Sequence, residues 1–180
     1  KLRGAFDFDD LLICTETLFR DQPNIRAIEA SRFDHILVDE YQDTNASQYQ
    51  IIAYLAEKHQ NLCVVGDDDQ SIYGWRGAEV KHILSFKKDW PAAVVVRLED
   101  NYRSTDAILK AANTLIALNT HRHDKVLRAA RPNGKPPEIF TLKDEVEEAK
   151  YVVQSIAARM QREKQLEPRD FAILFRTNEQ

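Results

Sequence analysis

An α/β fold, with a parallel sheet flanked by helices, is the architecture this sequence predicts. Short apolar runs alternate along the chain with segments whose apolar residues recur at helical spacing. The runs are continuously apolar rather than alternating, as strands covered on both faces of a parallel sheet are. Of 180 residues, 43% are hydrophobic and 30% charged, which allows a sizeable core and excludes wholesale disorder.

The elements follow in order. Residues 6–20 carry Phe8, Leu11, Leu12, Thr15 and Phe19 at helical spacing behind an acidic first turn. His35-Ile36-Leu37-Val38 reads as a buried strand. Thr44-Asn45 is a cap signal for a helix with Tyr49, Ile52, Ala53 and Ala56 on one face. Leu62-Cys63-Val64-Val65 is a second strand, ending at Gly66, and a Gly/Asp-rich loop leads to a helix near 79–88. Val94-Val95-Val96-Arg97-Leu98 is a third strand. Ser104-Thr105 then cap a helix striped with Ile108, Ala111, Ala112 and Leu115. The loop 131–137 is marked by its Pro and Gly residues. Beyond it come a strand at 138–142, a long helix burying Val146, Ala149, Val153, Ile156 and Met160, and a strand at 171–175 after Pro168.

Composition excludes some classes of function. The net charge of −4 argues against a generally basic nucleic-acid coat, though not against a local binding strip. The charge is uneven: residues 1–100 sum to −7 and residues 101–180 to +3. That pattern hints at two units facing each other across an anionic ligand, and from charge alone a solvated basic face explains it more simply. No apolar run approaches the roughly 18–20 residues of a membrane span, and no signal-peptide pattern is present. The opening Lys1-Leu2-Arg3 has no initiator Met and reads as an internal edge. Cys14 and Cys63 sit in apolar company and read as core thiols of an intracellular, cytoplasmic protein. His121 and His123 flank Arg122 without a third ligand nearby, so a solvated loop is expected there rather than a metal site.

Ligands of open α/β sheets bind beyond the carboxyl ends of the strands, and three strands here end in unusual sequence. The first delivers Asp39-Glu40, where the Asp can serve a Mg²⁺ ion and the Glu an attacking water. An acidic cap ahead of a helix accounts for these two residues equally well. The second leads into residues 66–77, where Asp67, Asp68 and Asp69 could face a cation, although Asp-rich turns are common. In the same loop Tyr73 and Trp75, with Arg76, lie between glycines. Such aromatics suit stacking on single-stranded bases, with Arg76 reaching a phosphate and the Gln70 amide reporting on one. A plug closing the sheet end is the structural alternative. The third strand reaches Tyr102-Arg103 just before a helix, a flat ring and a cation suited to a nucleobase and a phosphate.

Taken together, Asp-Glu-Tyr-Gln-Asp-Thr at 39–44, the run 66–78 and Asn-Tyr-Arg-Ser-Thr at 101–105 closely resemble, in order and spacing, the motifs of UvrD/Rep-type superfamily 1 DNA helicases. Asp7–Leu12 and Ala172–Asn178 are similar to further segments of that family. The resemblance implies a RecA-like P-loop NTPase fold and the incomplete parts of two motor domains. Residues 1–98 would be the C-terminal part of the first and 99–180 the N-terminal part of the second. It implies ATP and Mg²⁺ as cofactors, and single-stranded DNA and single/double-strand junctions as partners. Asp39 and Glu40 would serve the Mg²⁺ and the attacking water, and Gln70 would sense the terminal phosphate. Tyr73, Trp75 and Arg76 would touch single-stranded DNA. Tyr102 would stack on adenine, and Arg103 would act as an arginine finger.

The sequence also departs from the family. No G-x-x-x-x-G-K-[ST] segment occurs, since Gly134-Lys135 is followed by Pro136. The fragment alone is therefore expected not to hydrolyse ATP, although the resemblance implies a parent that is an ATP-dependent DNA helicase of replication or repair, with 3′→5′ movement. A non-catalytic nucleic-acid or protein binding module and a helicase–nuclease subunit are the alternatives. An upstream P-loop would argue against the first, and a following nuclease domain would favour the second.

Overall fold

The computed structural model describes residues 4–176; Lys1–Arg3 and the Thr177-Asn178 end of the last family-like segment lie outside the described residues. Packing divides the chain into two compact units that meet between Lys135 and Pro136.

In the first unit, α1 (Phe8–Asp21) starts at a reciprocal capping box between Asp7 and Asp10. It packs on α2 (Pro23–Ala30) and on α3 (Ala46–Ala56), and Ser47 Oγ donates to Glu16 Oε2 at 2.6 Å across the α1–α3 seam. Phe19, Ala30 and Ala56 are buried in this cluster. A second capping box, Asn45 with Gln48, opens α3. The crossover through α3 joins β1 (Ile36–Val38) to β2 (Leu62–Val64), which pair in parallel with Leu37 opposite Cys63. A second βαβ unit repeats the pattern: β3 (Asp100–Thr105) and β4 (Arg128–Arg131) pair in parallel, linked through α6 (Asp106–Ile116). Between them the expected helix at 79–88 is two short turns, α4 (Lys81–Leu84) and α5 (Phe86–Asp89). These lean on the turn after β1 through an edge-on Tyr41–Phe86 contact and on α3 through the stacked Tyr49 and His82 rings.

The second unit is built around α7 (Glu145–Arg162), capped by Asp144 and carrying acids in its first turn and arginines in its last, as the helix dipole favours. Phe140 packs on Tyr151, and the Arg159 guanidinium lies over Phe171.

Several expectations are corrected. The described residues form two separate two-stranded parallel sheets, not one sheet covered on both sides. The third strand lies at 100–105 rather than 94–98, and 138–142 and 171–175 are not strands. These runs lack a hydrogen-bonded neighbour among the described residues, and apolarity alone does not make a ladder: Val94, Ile139 and Leu174 are 87%, 94% and 90% exposed. Cys14 and Cys63 are free but exposed, Cys63 because the outward face of β2 is uncovered. On α6 it is Leu109 that is buried, while Ile108 and Leu115 are exposed, because the crossover turns the Leu109–Asn113 side toward β4. No α7 side chain is buried among the described residues. No described helix is long and apolar enough to cross a membrane.

Candidate nucleotide and nucleic-acid site

Because β1 and β2 are parallel, both carboxyl ends open on the same edge, and the loops beginning at Asp39 and Val65 leave side by side. The seam between them is stitched by backbone: Val65 N donates to Val38 O, and Tyr41 N donates to Val65 O. Asp39 Oδ1 accepts from Glu40 N at 2.9 Å, which fixes the Asp carboxylate at the strand end. Glu40 itself adopts a left-handed backbone, φ 49° and ψ 41°, a conformation disfavoured for a residue with a Cβ and common where function is served. Both acids are exposed at the strand edge.

Gln42 organises this edge, a role its place in the run 39–44 does not reveal. Its side chain is buried, and its Nε2 donates to Glu40 Oε2 at 2.8 Å and to Asp43 Oδ2 at 3.3 Å. Its Oε1 accepts from Asp67 N at 2.9 Å. One amide thus ties the two strand-end loops together. Gly66 permits the approach: a Cβ there would lie 2.6 Å from Gln42 Oε1. Gln70 stands in the same network, its Nε2 donating to Asp67 Oδ2 at 2.7 Å. Asp39, Glu40 and Gln70 are therefore brought to one edge.

The three aspartates of the loop face the protein's own cations. Arg122 forks onto Asp69 with bonds of 2.8 and 2.7 Å. Lys125 Nζ reaches Asp67 and Asp68 at 2.5 Å each, and His123 N donates to Asp68 Oδ2 at 2.8 Å. Burial works against the Asp68 carboxylate, yet the bonds from Lys125 and His123 prevail and hold it below the usual carboxylate range. The Arg122 fork lowers Asp69 likewise. Burial also works against the Lys125 ammonium, but Asp67 and Asp68 outweigh it and raise its pKa. The 121–125 segment, expected as a solvated loop, is therefore a basic hook seated in an acidic cradle.

Among the described residues no three His, Cys, Asp or Glu side chains converge as a metal cage. A Mg²⁺ ion held mainly by water and phosphate oxygens needs only one or two carboxylates, and the exposed Asp39–Glu40 pair fits that requirement.

Tyr73, Trp75 and Arg76 form a compact exposed group around a 3₁₀ turn, Gly74–Arg76. The Arg76 guanidinium lies 4.6 Å from the Trp75 ring centroid and 5.7 Å from that of Tyr73. Trp75 is 73% exposed, so it plugs nothing in this structure. Tyr102 and Arg103 occupy an irregular stretch of β3 where pairing with β4 slips between Asn101 and Thr105. Asn101 Oδ1 accepts from Arg103 N and Ser104 N, and Arg131 donates to Arg103 O. Among the described residues the Arg103 guanidinium has no ion-pair partner, and Tyr102 is exposed. No hydrogen bond, ion pair or ring contact joins Tyr102 or Arg103 to Asp39, Glu40 or Gln70. Thr105 caps α6 by position only: its hydroxyl makes no cap bond and is buried against Gly134.

Parallel strands delivering Asp-Glu and a Gln-bearing loop to one edge agree with a RecA-like α/β fold. Residues 1–91 match the UvrD/REP helicase N-terminal domain, and residues 96–180 match the UvrD-like helicase C-terminal domain. The chain belongs to the UvrD/Rep helicase family. It is 48% identical over 176 residues to the ATP-dependent DNA helicase PcrA of Staphylococcus aureus, and 47% identical over the same length to that of Staphylococcus epidermidis. Each alignment covers 98% of this chain and 24% of the relative, so the chain spans about a quarter of the length of these helicases.

Proposed function

We propose that this chain is the central segment of an ATP-dependent DNA helicase or translocase that couples ATP hydrolysis to movement on single-stranded DNA and to duplex unwinding. The observation that carries this is the shared edge of β1 and β2, where Asp39, Glu40, Gln42 and the Gln70 loop form one hydrogen-bonded network. Residues 1–98 belong to the first RecA-like motor domain and 99–180 to the second, each incomplete here. The uncovered face of β2 and the unpaired runs at 94–98, 138–142 and 171–175 are what sheets lacking other strands would present.

Within this reading Asp39 would hold a Mg²⁺ ion at the end of β1. When bound, that ion neutralises charge developing on the terminal phosphate. Glu40, oriented by Gln42, accepts a proton from the attacking water. Gln70 contacts the terminal phosphate and links it to the adjoining Tyr73–Arg76 turn, where bases stack on Trp75 and Tyr73 and Arg76 pairs with backbone phosphate. Tyr102 stacks on adenine and Arg103 reaches the terminal phosphate, an assignment supported by its unpartnered guanidinium. The protein works in the cytoplasm, in replication or repair, on single-stranded DNA and its junctions with duplex.

Strand displacement by the full-length protein tests this. A duplex with a 3′ single-stranded tail should be unwound in the presence of ATP and Mg²⁺, and one with a 5′ tail should not. Failure on both would refute the helicase reading, and preference for the 5′ tail would refute the polarity.

A further inference from the structure

The basic hook at 122–125 does more than neutralise acids, because of which acid it holds. Asp67 uses every polar group it has. Its N–H donates to Gln42 Oε1, its Oδ2 accepts the Gln70 amide at 2.7 Å, and its Oδ1 receives Lys125 Nζ at 2.5 Å beside the Asp69 N–H at 3.1 Å. Its carbonyl accepts from Gln70 N at 2.9 Å. Gln70 is thus fixed at both backbone and side chain by a single residue. That residue's carboxylate is held by Lys125, 58 positions along the chain and only 16% exposed at its side chain. Asp67 lies within the match to the N-terminal helicase domain and Lys125 within the match to the C-terminal one.

The geometry points to Lys125 as a positioning residue for Gln70: by clamping Asp67 it fixes the amide in the direction a nucleotide phosphate would meet. The inference rests on the reading of Gln70 as the phosphate-sensing residue. Nucleotide turnover then depends on the 121–125 segment being seated in the acidic cradle, so the second helicase segment reports its position to the site through one ammonium group. A plain structural staple would hold the loop without acting through Gln70, and the two roles differ in a measurable way.

The test uses the full-length protein with Lys125→Met, Gln70→Ala and the double substitution; Lys125→Gln serves if Met impairs folding. Lys125→Met should lower the kcat of DNA-stimulated ATP hydrolysis about tenfold while KM for ATP and affinity for an oligothymidylate stay within about twofold. On the Gln70→Ala background it should cost nothing further. Amide hydrogen exchange at residues 66–72 should quicken in Lys125→Met. An unchanged kcat, a second full tenfold loss on the Gln70→Ala background, or unaltered exchange would overturn the inference. Absence of DNA-stimulated hydrolysis in the unsubstituted protein would instead defeat the functional reading. The exchange measurement would then still decide whether Lys125 holds the loop.

Discussion

Gln42 Nε2 donates to Glu40 Oε2 at 2.8 Å from a fully buried position, so a neutral amide in the interior aims an exposed carboxylate held in a left-handed turn. With its Oε1 engaged by Asp67 N, the amide cannot turn over without losing all three partners, Glu40, Asp43 and Asp67. Gln42→Ala should therefore reduce turnover by the full-length helicase about ten- to a hundredfold, chiefly in kcat. It should also lower stability by about 1–3 kcal/mol, since the Asp67 N–H loses its partner. Steady-state ATPase and chemical denaturation read the two effects separately.

Gly66 and Gly74 should answer differently to the same substitution. A Cβ at Gly66 would meet Gln42 Oε1 at 2.6 Å, Ile83 Cδ1 at 2.9 Å and Tyr41 N at 3.1 Å, whereas one at Gly74 would meet nothing within 4 Å. Gly66→Ala should destabilise by about 1–3 kcal/mol through overpacking. Gly74→Ala should stay within about 0.5 kcal/mol of the parent. Equal denaturation midpoints for the two variants would contradict the close approach described here.

The ion pairs between the 122–125 hook and the 67–69 aspartates set a pH window. Asp69 is lowered chiefly by the Arg122 fork, and at Asp68 burial, which would raise the carboxyl, is outweighed by the bonds from Lys125 and His123. A carboxylate lowered on folding stabilises above its unfolded pKa, and that contribution fades as pH falls through the folded value. Lys125 is raised, so its contribution is complete below its unfolded pKa and is lost as pH rises through the folded one. The stability difference between the parent and Lys125→Met should be level between about pH 5 and 9 and shrink on either side. Thermal melts across that range would show it; a difference peaking outside the window would count against the assignment.

Trp75 is largely exposed and lies under the Arg76 guanidinium. Trp75→Ala should leave the fold unchanged to within about 0.5 kcal/mol. Its affinity for single-stranded DNA should fall by about 1–3 kcal/mol, measured by fluorescence anisotropy of a labelled oligonucleotide. Intact affinity would take the aromatic group out of the DNA path.

The sequence discloses the fold where a local signal suffices and hides it where distant segments must meet. Ile36–Val38 and Leu62–Val64 were legible because each short apolar run found a parallel partner. Val94–Leu98 misled because hydropathy records a wish for burial and says nothing of which edge supplies the hydrogen bonds. The acids at 39–40 and the aromatic loop were visible from composition at a strand end. The seating of the hook in the acidic cradle is not legible there: the opposite charges of the two segments are plain in the sequence, but pairing Asp69 with Arg122 across 53 positions requires the fold. Gln42 was invisible for a related reason, since spacing cannot show that a polar residue beside two acids is buried.

The central claim is that Glu40 serves ATP hydrolysis in a DNA-driven motor. The most direct measurement is steady-state ATPase of the full-length protein, with and without single-stranded DNA, for the parent and Glu40→Gln. The account predicts strong stimulation by DNA in the parent and loss of about a hundredfold or more in Glu40→Gln, with ATP binding retained. No stimulation by DNA, or full activity in Glu40→Gln, would contradict it.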